Sequence, residues 1–146
     1  MAKFIHYNEV PRDLKYEKGL KIDFGVNDGT CGAKRLTMGH TVIPAGSRNQ
    51  RHYHANAEAC FYIIKGRLKI LIGDGKEYYE QEVGPGTFCY AAQGDIHGLI
   101  NLSDTEDAEL VFAYGGVPNK EAAGTTFVEG GEVVERHLAA KGKVVA

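Results

Sequence analysis

Two histidines with one residue between them, in the run His52-Tyr53-His54-Ala55-Asn56-Ala57-Glu58, are the residues of this chain best suited to chemistry. Side chains alternate faces along an extended strand, so positions i and i+2 project from the same side and can hold one ion between them. A third imidazole at His97, in Gly94-Asp95-Ile96-His97, and a carboxylate at Glu58 would complete a set of the kind that first-row transition metals prefer. The competing reading of any one histidine, in a chain that has six, is a solvated or hydrogen-bonded side chain with no ion. What separates the two readings is the set of elements around them.

Those elements read as an all-β protein. Segments rich in Val, Ile, Tyr, Phe and Leu recur between Gly, Asp, Asn and Pro, at Leu36 to Ile43, Ala59 to Ile64, Arg67 to Ile72, Thr87 to Ala91, His97 to Leu102 and Leu110 to Tyr114. This spacing predicts a sandwich or barrel. Gly73-Asp74-Gly75-Lys76 reads as a hairpin turn, and Glu132 to Lys141 as one short helix in a polar, glycine-containing tail that begins near Val117-Pro118. That tail either wraps the barrel or packs on a second subunit.

Composition narrows the class of function. With 146 residues, 43% hydrophobic and 25% charged, the chain has the size of one globular domain with a real core. Its net charge of -2, with acids and bases interleaved, offers no basic stripe for nucleic acid and no polybasic membrane anchor. A small molecule is therefore the expected partner. Cys31, Cys60 and Cys89 are scattered, without a CxxC pair, which argues against a disulfide framework or a thiolate zinc site. The start Met1-Ala2-Lys3-Phe4 leads into a polar stretch, and the expectation is a cytoplasmic protein.

The glycines that frame the histidines form two blocks. Gly46, five residues, His52-Tyr53-His54, Glu58 and Gly66 make the first; Gly86, five residues, Ala92-Gln93-Gly94, His97 and Asn101 make the second. This arrangement resembles the cupin family, whose first motif runs Gly, five residues, His-x-His, three or four residues, Glu, six residues, Gly. The second family motif runs Gly, five residues, Pro-x-Gly, two residues, His, three residues, Asn. The resemblance implies a cupin jelly-roll β-barrel in a single domain, with a barrel core at about 36–115, an N-terminal extension and a C-terminal extension at about 117–146.

Two departures stand out. Ala92 replaces the family's Pro, which touches no chemistry. Glu58 lies an allowed three residues beyond His54, but seven residues rather than six then separate it from Gly66, so that counting back from Gly66 places the family's Glu on Ala59. A shift of one residue turns a strand side chain to the other face. Either the preceding turn absorbs the extra residue and Glu58 binds, or His52, His54 and His97 hold the site alone. His40 is a further candidate, because it shares strand parity with Leu36, Met38 and Val42 and should point into the barrel with them. Gln50, two residues before His52, has the parity to approach the same ion.

The resemblance implies one divalent transition metal per chain, Fe(II) foremost and Zn, Mn or Ni otherwise, and a dioxygenase acting on a small oxygenated organic molecule. A non-oxidative lyase, isomerase or cyclase, and a small-molecule-binding cupin without turnover, are the alternatives. Arg48, Arg51, Tyr53, Tyr62, Phe88, Tyr90 and Tyr114 sketch a pocket entrance. Within that sketch Arg48 could anchor an anionic substrate, and Tyr62 or Tyr90 could supply a phenolic proton. Cupins commonly dimerise; a homodimer is expected, to which the stretch from Phe4 to Phe24 could contribute a strand.

Overall fold

The computed structural model describes residues 1–73 and 79–128. The turn at Gly73-Asp74-Gly75-Lys76 runs into residues outside the described ones, and the Glu132 to Lys141 helix and His137 lie wholly outside them. The described chain is built from strands β1 (Arg12–Asp13), β2 (Lys21–Val26), β3 (Leu36–Ile43), β4 (His52–His54), β5 (Glu58–Lys65), β6 (Leu68–Ile72), β7 (Tyr79–Val83), β8 (Phe88–Ala91), β9 (His97–Asn101), β10 (Ala108–Gly115) and β11 (Thr125–Phe127). A one-turn helix α1 (Asp28–Cys31) is the only α-helix among the described residues. None of their helices is long and apolar enough to cross a membrane.

The strands form two antiparallel sheets, in the orders β1-β2-β3-β10-β5-β8 and β11-β4-β9-β6-β7. This is the jelly-roll architecture of two facing sheets with the core between them. Alternation supplies the core: Ala59, Phe61 and Ile63 of β5 and Ala108, Leu110, Phe112 and Tyr114 of β10 are buried while their neighbours face outward. Ile22, Ile43, Ile63, Leu68 and Ile70 are essentially free of solvent contact. Each such side chain contributes about 1.5–3 kcal/mol relative to an exposed position. The stretch from Phe4 to Phe24 does not leave the barrel: β2 pairs with β3, and β1 with β2, within the same chain.

Strand β3 has the predicted bounds but the opposite parity. Its buried residues are Thr37, Gly39, Thr41 and Ile43, whereas Leu36 and Met38 are exposed and His40 and Val42 half-buried on the outer face. The reason is crowding from across the core. Phe24 and Phe112 meet edge to face at 5.6 Å above this strand, and a Cβ on Gly39 would lie 2.6 Å from Phe112 Cζ and 2.8 Å from the Asp23 carbonyl oxygen. No side chain fits at Gly39 beneath those rings. His40 is consequently turned away from the interior, with Nδ1 3.1 Å from Asp23 Oδ2 and Nε2 2.9 Å from Glu109 Oε1. The expectation that His40 points into the barrel is corrected: both of its ring nitrogens are held by carboxylates on the outside of the sheet.

Candidate metal centre

Strand β4 consists of the three residues His52-Tyr53-His54, and its alternation buries both imidazoles while Tyr53 packs on the other side against Ile96 and Val128. Strand β9 lies beside β4 with His97 directly opposite His52. Side chains that face one another across an antiparallel pair have Cβ atoms about 4.5–5.5 Å apart, which brings the third ring in without a special loop. Ring centroids are 4.5 Å apart for His52 and His97, 5.0 Å for His52 and His54, and 5.1 Å for His54 and His97. One ligating nitrogen from each lies within 4.8 Å of the others. It is the one such group of His, Cys, Asp and Glu found among the described residues.

Each ring is held from behind. His52 Nδ1 is 2.8 Å from the Gln50 carbonyl oxygen, His97 Nδ1 is 2.9 Å from the Asp95 carbonyl oxygen, and His54 Nδ1 is 2.8 Å from Thr125 Oγ1. A carbonyl can only accept, so Nδ1 of His52 and His97 carries the hydrogen and the lone pair is left on Nε2, facing the cavity. Metal-binding imidazoles are habitually oriented in this way. Burial, reinforced by the neighbouring imidazoles, pushes the His54 pKa down to about 2 and that of His97 down to about 4. Both rings are neutral at pH 7, which is the form that binds metal.

The histidines open on a cavity of about 40 Å³, whose other walls include Glu17, Phe61, Leu99, Phe112 and Tyr114. A much wider surface groove of about 840 Å³, between residues 10–16 and 27–30, brings no such ligating group together. Glu17 comes from the loop between β1 and β2, and its Oε1 lies 3.3 Å from His52 Nε2. Asn49 Nδ2 donates to the same oxygen at 2.9 Å, and Asn49 is itself fixed because its Oδ1 accepts the Leu99 N–H at 2.8 Å. Burial raises the Glu17 carboxyl above its ordinary pKa, against the opposing pull of Asn49 and His97. Tyr114, with its ring 4.6 Å from that of His54, holds its proton well above the ordinary phenol range because it is buried, with Glu17 adding to the effect.

A family model described as a cupin domain matches residues 39–114, more than half of the chain. The protein belongs to the cupin family. No curated protein matches the chain. Solved structures agree in fold: the polyketide cyclase RemF from Streptomyces resistomycificus (18% identity, TM-score 0.69, 93% of this chain and 92% of that one), oxalate decarboxylase from Bacillus subtilis (20%, 0.73, 88% and 33%) and KdgF from Halomonas sp. (16%, 0.65, 83% and 97%). This cupin thus spans about a third of the decarboxylase chain and nearly all of the other two.

Within the cupin frame, Glu58 is not in the cavity. Because Ala59, Phe61 and Ile63 face inward, Glu58 is turned out, exposed, and accepts a hydrogen bond from the Tyr90 hydroxyl at 2.8 Å. The family's Glu position falls on Ala59, which lines the cavity with a methyl group. The same alternation places the tyrosine candidates of this sheet, Tyr62 and Tyr90, away from the histidine cavity. Tyr62 is opposite Phe88, and Cys60 opposite Tyr90, on the outer face; the Tyr62 and Phe88 rings meet at a tilt with centroids 4.7 Å apart, and Phe88 and Tyr90 are exposed. Arg48 is exposed too, its Nε donating to the Asn49 carbonyl oxygen, and it does not line the histidine cavity. Gln50 serves through its backbone carbonyl rather than its side chain. Of the sketched entrance, Tyr114 alone reaches the cavity.

The side chains that sequence reading missed are Glu17, Asn49 and Thr125. Glu17 sits in Lys15-Tyr16-Glu17-Lys18, which reads as a solvated turn and carries no signal of burial. Asn49 is equally silent. Thr125 lies in a short β-branched run of the tail, a weak strand signal; β11 wraps back on β4 of the same barrel with Thr125 opposite His54. The Ala92 departure is harmless, since the turn is closed by the Asp95 N–H on the Ala92 carbonyl and by the Ala92 N–H on Asp95 Oδ2, both at 3.0 Å.

Proposed function

We propose that this cupin is a metal-dependent enzyme acting on a small oxygenated organic molecule, and that the reaction is a dioxygenation. The observation that carries the reading is the convergence of three buried imidazoles whose far nitrogens are anchored and whose near nitrogens share one cavity. The donor set fits a divalent transition metal, Fe(II) foremost and Zn, Mn or Ni otherwise, with His52, His54 and His97 as ligands. Such an ion, when bound, supplies Lewis acidity towards a substrate oxygen and, if it is iron, redox chemistry with dioxygen. The chain's own contribution is positioning and exclusion. Gln50, Asp95 and Thr125 hold the rings so that little reorganisation is needed, and Phe61, Leu99 and Phe112 keep bulk water from the site. The narrow cavity favours a small substrate, and the Tyr114 phenol holds a proton where a substrate oxygen could accept it.

A second reading, a non-oxidative lyase, isomerase or cyclase, is favoured by one observation. A buried carboxyl, Glu17, and a buried phenol, Tyr114, flank the imidazoles, and proton transfer beside a Lewis acid needs such groups. Metal analysis of the purified protein, followed by oxygen uptake with catechols, diketones and keto acids, separates the two. Stoichiometric iron with substrate-dependent oxygen consumption supports the dioxygenase, and zinc with no uptake sinks it. His52→Ala and His97→Ala should lose the metal while His6→Ala, at an exposed site, keeps it; metal retained by the first two refutes the assignment of ligands. We place the enzyme in the cytoplasm as a homodimer, and a monomer in sedimentation velocity at micromolar concentration would remove the second part.

A further inference from the structure

We infer that Glu17 is the fourth protein ligand of the metal, a carboxylate brought in from the β1–β2 loop to the centre whose usual acid position is the methyl group of Ala59. The inference rests on the metal-dependent reading above and extends it to a residue outside both sequence motifs. Four observations carry it. The Glu17 side chain is 10% exposed, and Oε1 is 3.3 Å from His52 Nε2, the ring nitrogen on the far side from the Nδ1 held by the Gln50 carbonyl. Two donors that bind one ion at about 2.0–2.2 Å, at tetrahedral or right angles, stand roughly 2.8–3.6 Å apart, so this separation suits two ligands of one ion.

The carboxylate is also aimed. Asn49 donates to Oε1 with its amide and is locked by the Leu99 N–H on its other end, so the oxygen is presented to the histidines by a buried positioning residue. The loop itself is pinned: Gly19 has φ of +94°, a Cβ there would stand 2.5 Å from the Arg48 carbonyl oxygen, and the Ser47 hydroxyl donates to the Gly19 carbonyl at 2.7 Å. Finally, no Lys or Arg is among the residues that line the cavity with Glu17. A buried carboxylate needs a counter-charge, and a divalent ion at the three imidazoles supplies one.

The test is Co(II) binding to the full chain, read as a dissociation constant by chelator competition and as the visible d–d spectrum, which reports donor number and type. Glu17→Gln keeps the shape and the Asn49 neighbour but removes the anionic ligand, with Glu58→Gln as the outward-facing control. Affinity should fall by more than roughly 100-fold, the upper end for loss of a merely outer-sphere partner, and the d–d bands should change, while Glu58→Gln matches wild type. Unchanged affinity and an unchanged spectrum in a folded Glu17→Gln overturn the inference and leave a base or packing role for Glu17, with the three-histidine centre intact. If Glu17→Gln does not fold, Glu17→Asp, which retracts the carboxylate by one methylene, is judged by the same two readings. Wild-type protein that binds no Co(II) overturns the metal-dependent reading itself.

Discussion

Thr125→Val removes the one side-chain oxygen that anchors a candidate metal-binding ring. The other two rings lean on the backbone carbonyls of Gln50 and Asp95, which no substitution can delete, whereas His54 Nδ1 leans on Thr125 Oγ1 at 2.8 Å. Valine keeps the β-branch that suits β11 and its pairing opposite His54, so the strand is preserved. The stability cost in metal-free protein is that of one hydrogen bond, about 1 kcal/mol, or roughly 2–4 °C in melting temperature for a chain of this size. The cost to metal binding is larger, because an unanchored ring can rotate and can carry its hydrogen on Nε2, where it blocks the lone pair. Loss of such a partner weakens metal binding by about 10–100-fold, or about 1.4–2.7 kcal/mol. The assay is competition with a chromophoric chelator, run beside His54→Ala and beside Tyr16→Phe, which removes the hydroxyl that contacts Thr125 Oγ1 from the far side. A Thr125→Val protein with wild-type affinity would refute the anchoring, provided that His54→Ala has lost the metal. Wild-type affinity in His54→Ala would remove His54 from the site.

Glu58→Gln and His40→Ala should both retain a full metal complement in elemental analysis, because one residue faces solvent beside Tyr90 and the other lies between Asp23 and Glu109. His40→Ala should nonetheless melt lower, since the buried Asp23 loses one of its partners. Gly19→Ala, which forces a Cβ against the Arg48 carbonyl oxygen at a positive φ, should cost about 1–3 kcal/mol in urea denaturation and weaken metal binding by displacing the Glu17 loop. In chelator-treated protein, His97 has a folded pKa of about 4 and His54 of about 2 against an ordinary 6.5, so falling pH protonates the unfolded chain first. Their contribution to stability is intact above pH 6.5 and is lost on acidification, by about 3 kcal/mol for His97 between pH 6.5 and 4, with His54 continuing below. A urea midpoint that is flat over that interval, or a slope that His97→Phe leaves unchanged, would refute the account.

What the sequence determined by itself was local and periodic. Leu36–Ile43 is a strand within the predicted bounds, and the runs around Ala59, Leu68, Phe88, His97 and Leu110 are strands to within two residues at each end. The His-x-His spacing put two imidazoles on one face by strand geometry, whereas His97 was brought to them by the resemblance to the cupin motifs and lies opposite His52 across the β4–β9 pair. Which face of a strand is the inner one is a different kind of fact. On β3 the apolar pattern of Leu36, Met38 and Val42 pointed one way, but the rings of Phe24 and Phe112, distant in sequence, lie against Gly39 on the inner face, and His40 is turned out. On β5 the one-residue ambiguity at Glu58 and Ala59 was visible in the motif count but was settled by burial of Ala59, Phe61 and Ile63 against the core. Glu17, Asn49 and Thr125 reach the histidines from three separate segments, each polar and unremarkable in its own neighbourhood. Their proximity exists only once the sheets close, because no local period records a contact between a loop before β2, a loop before β4 and a strand that returns from the far end of the barrel.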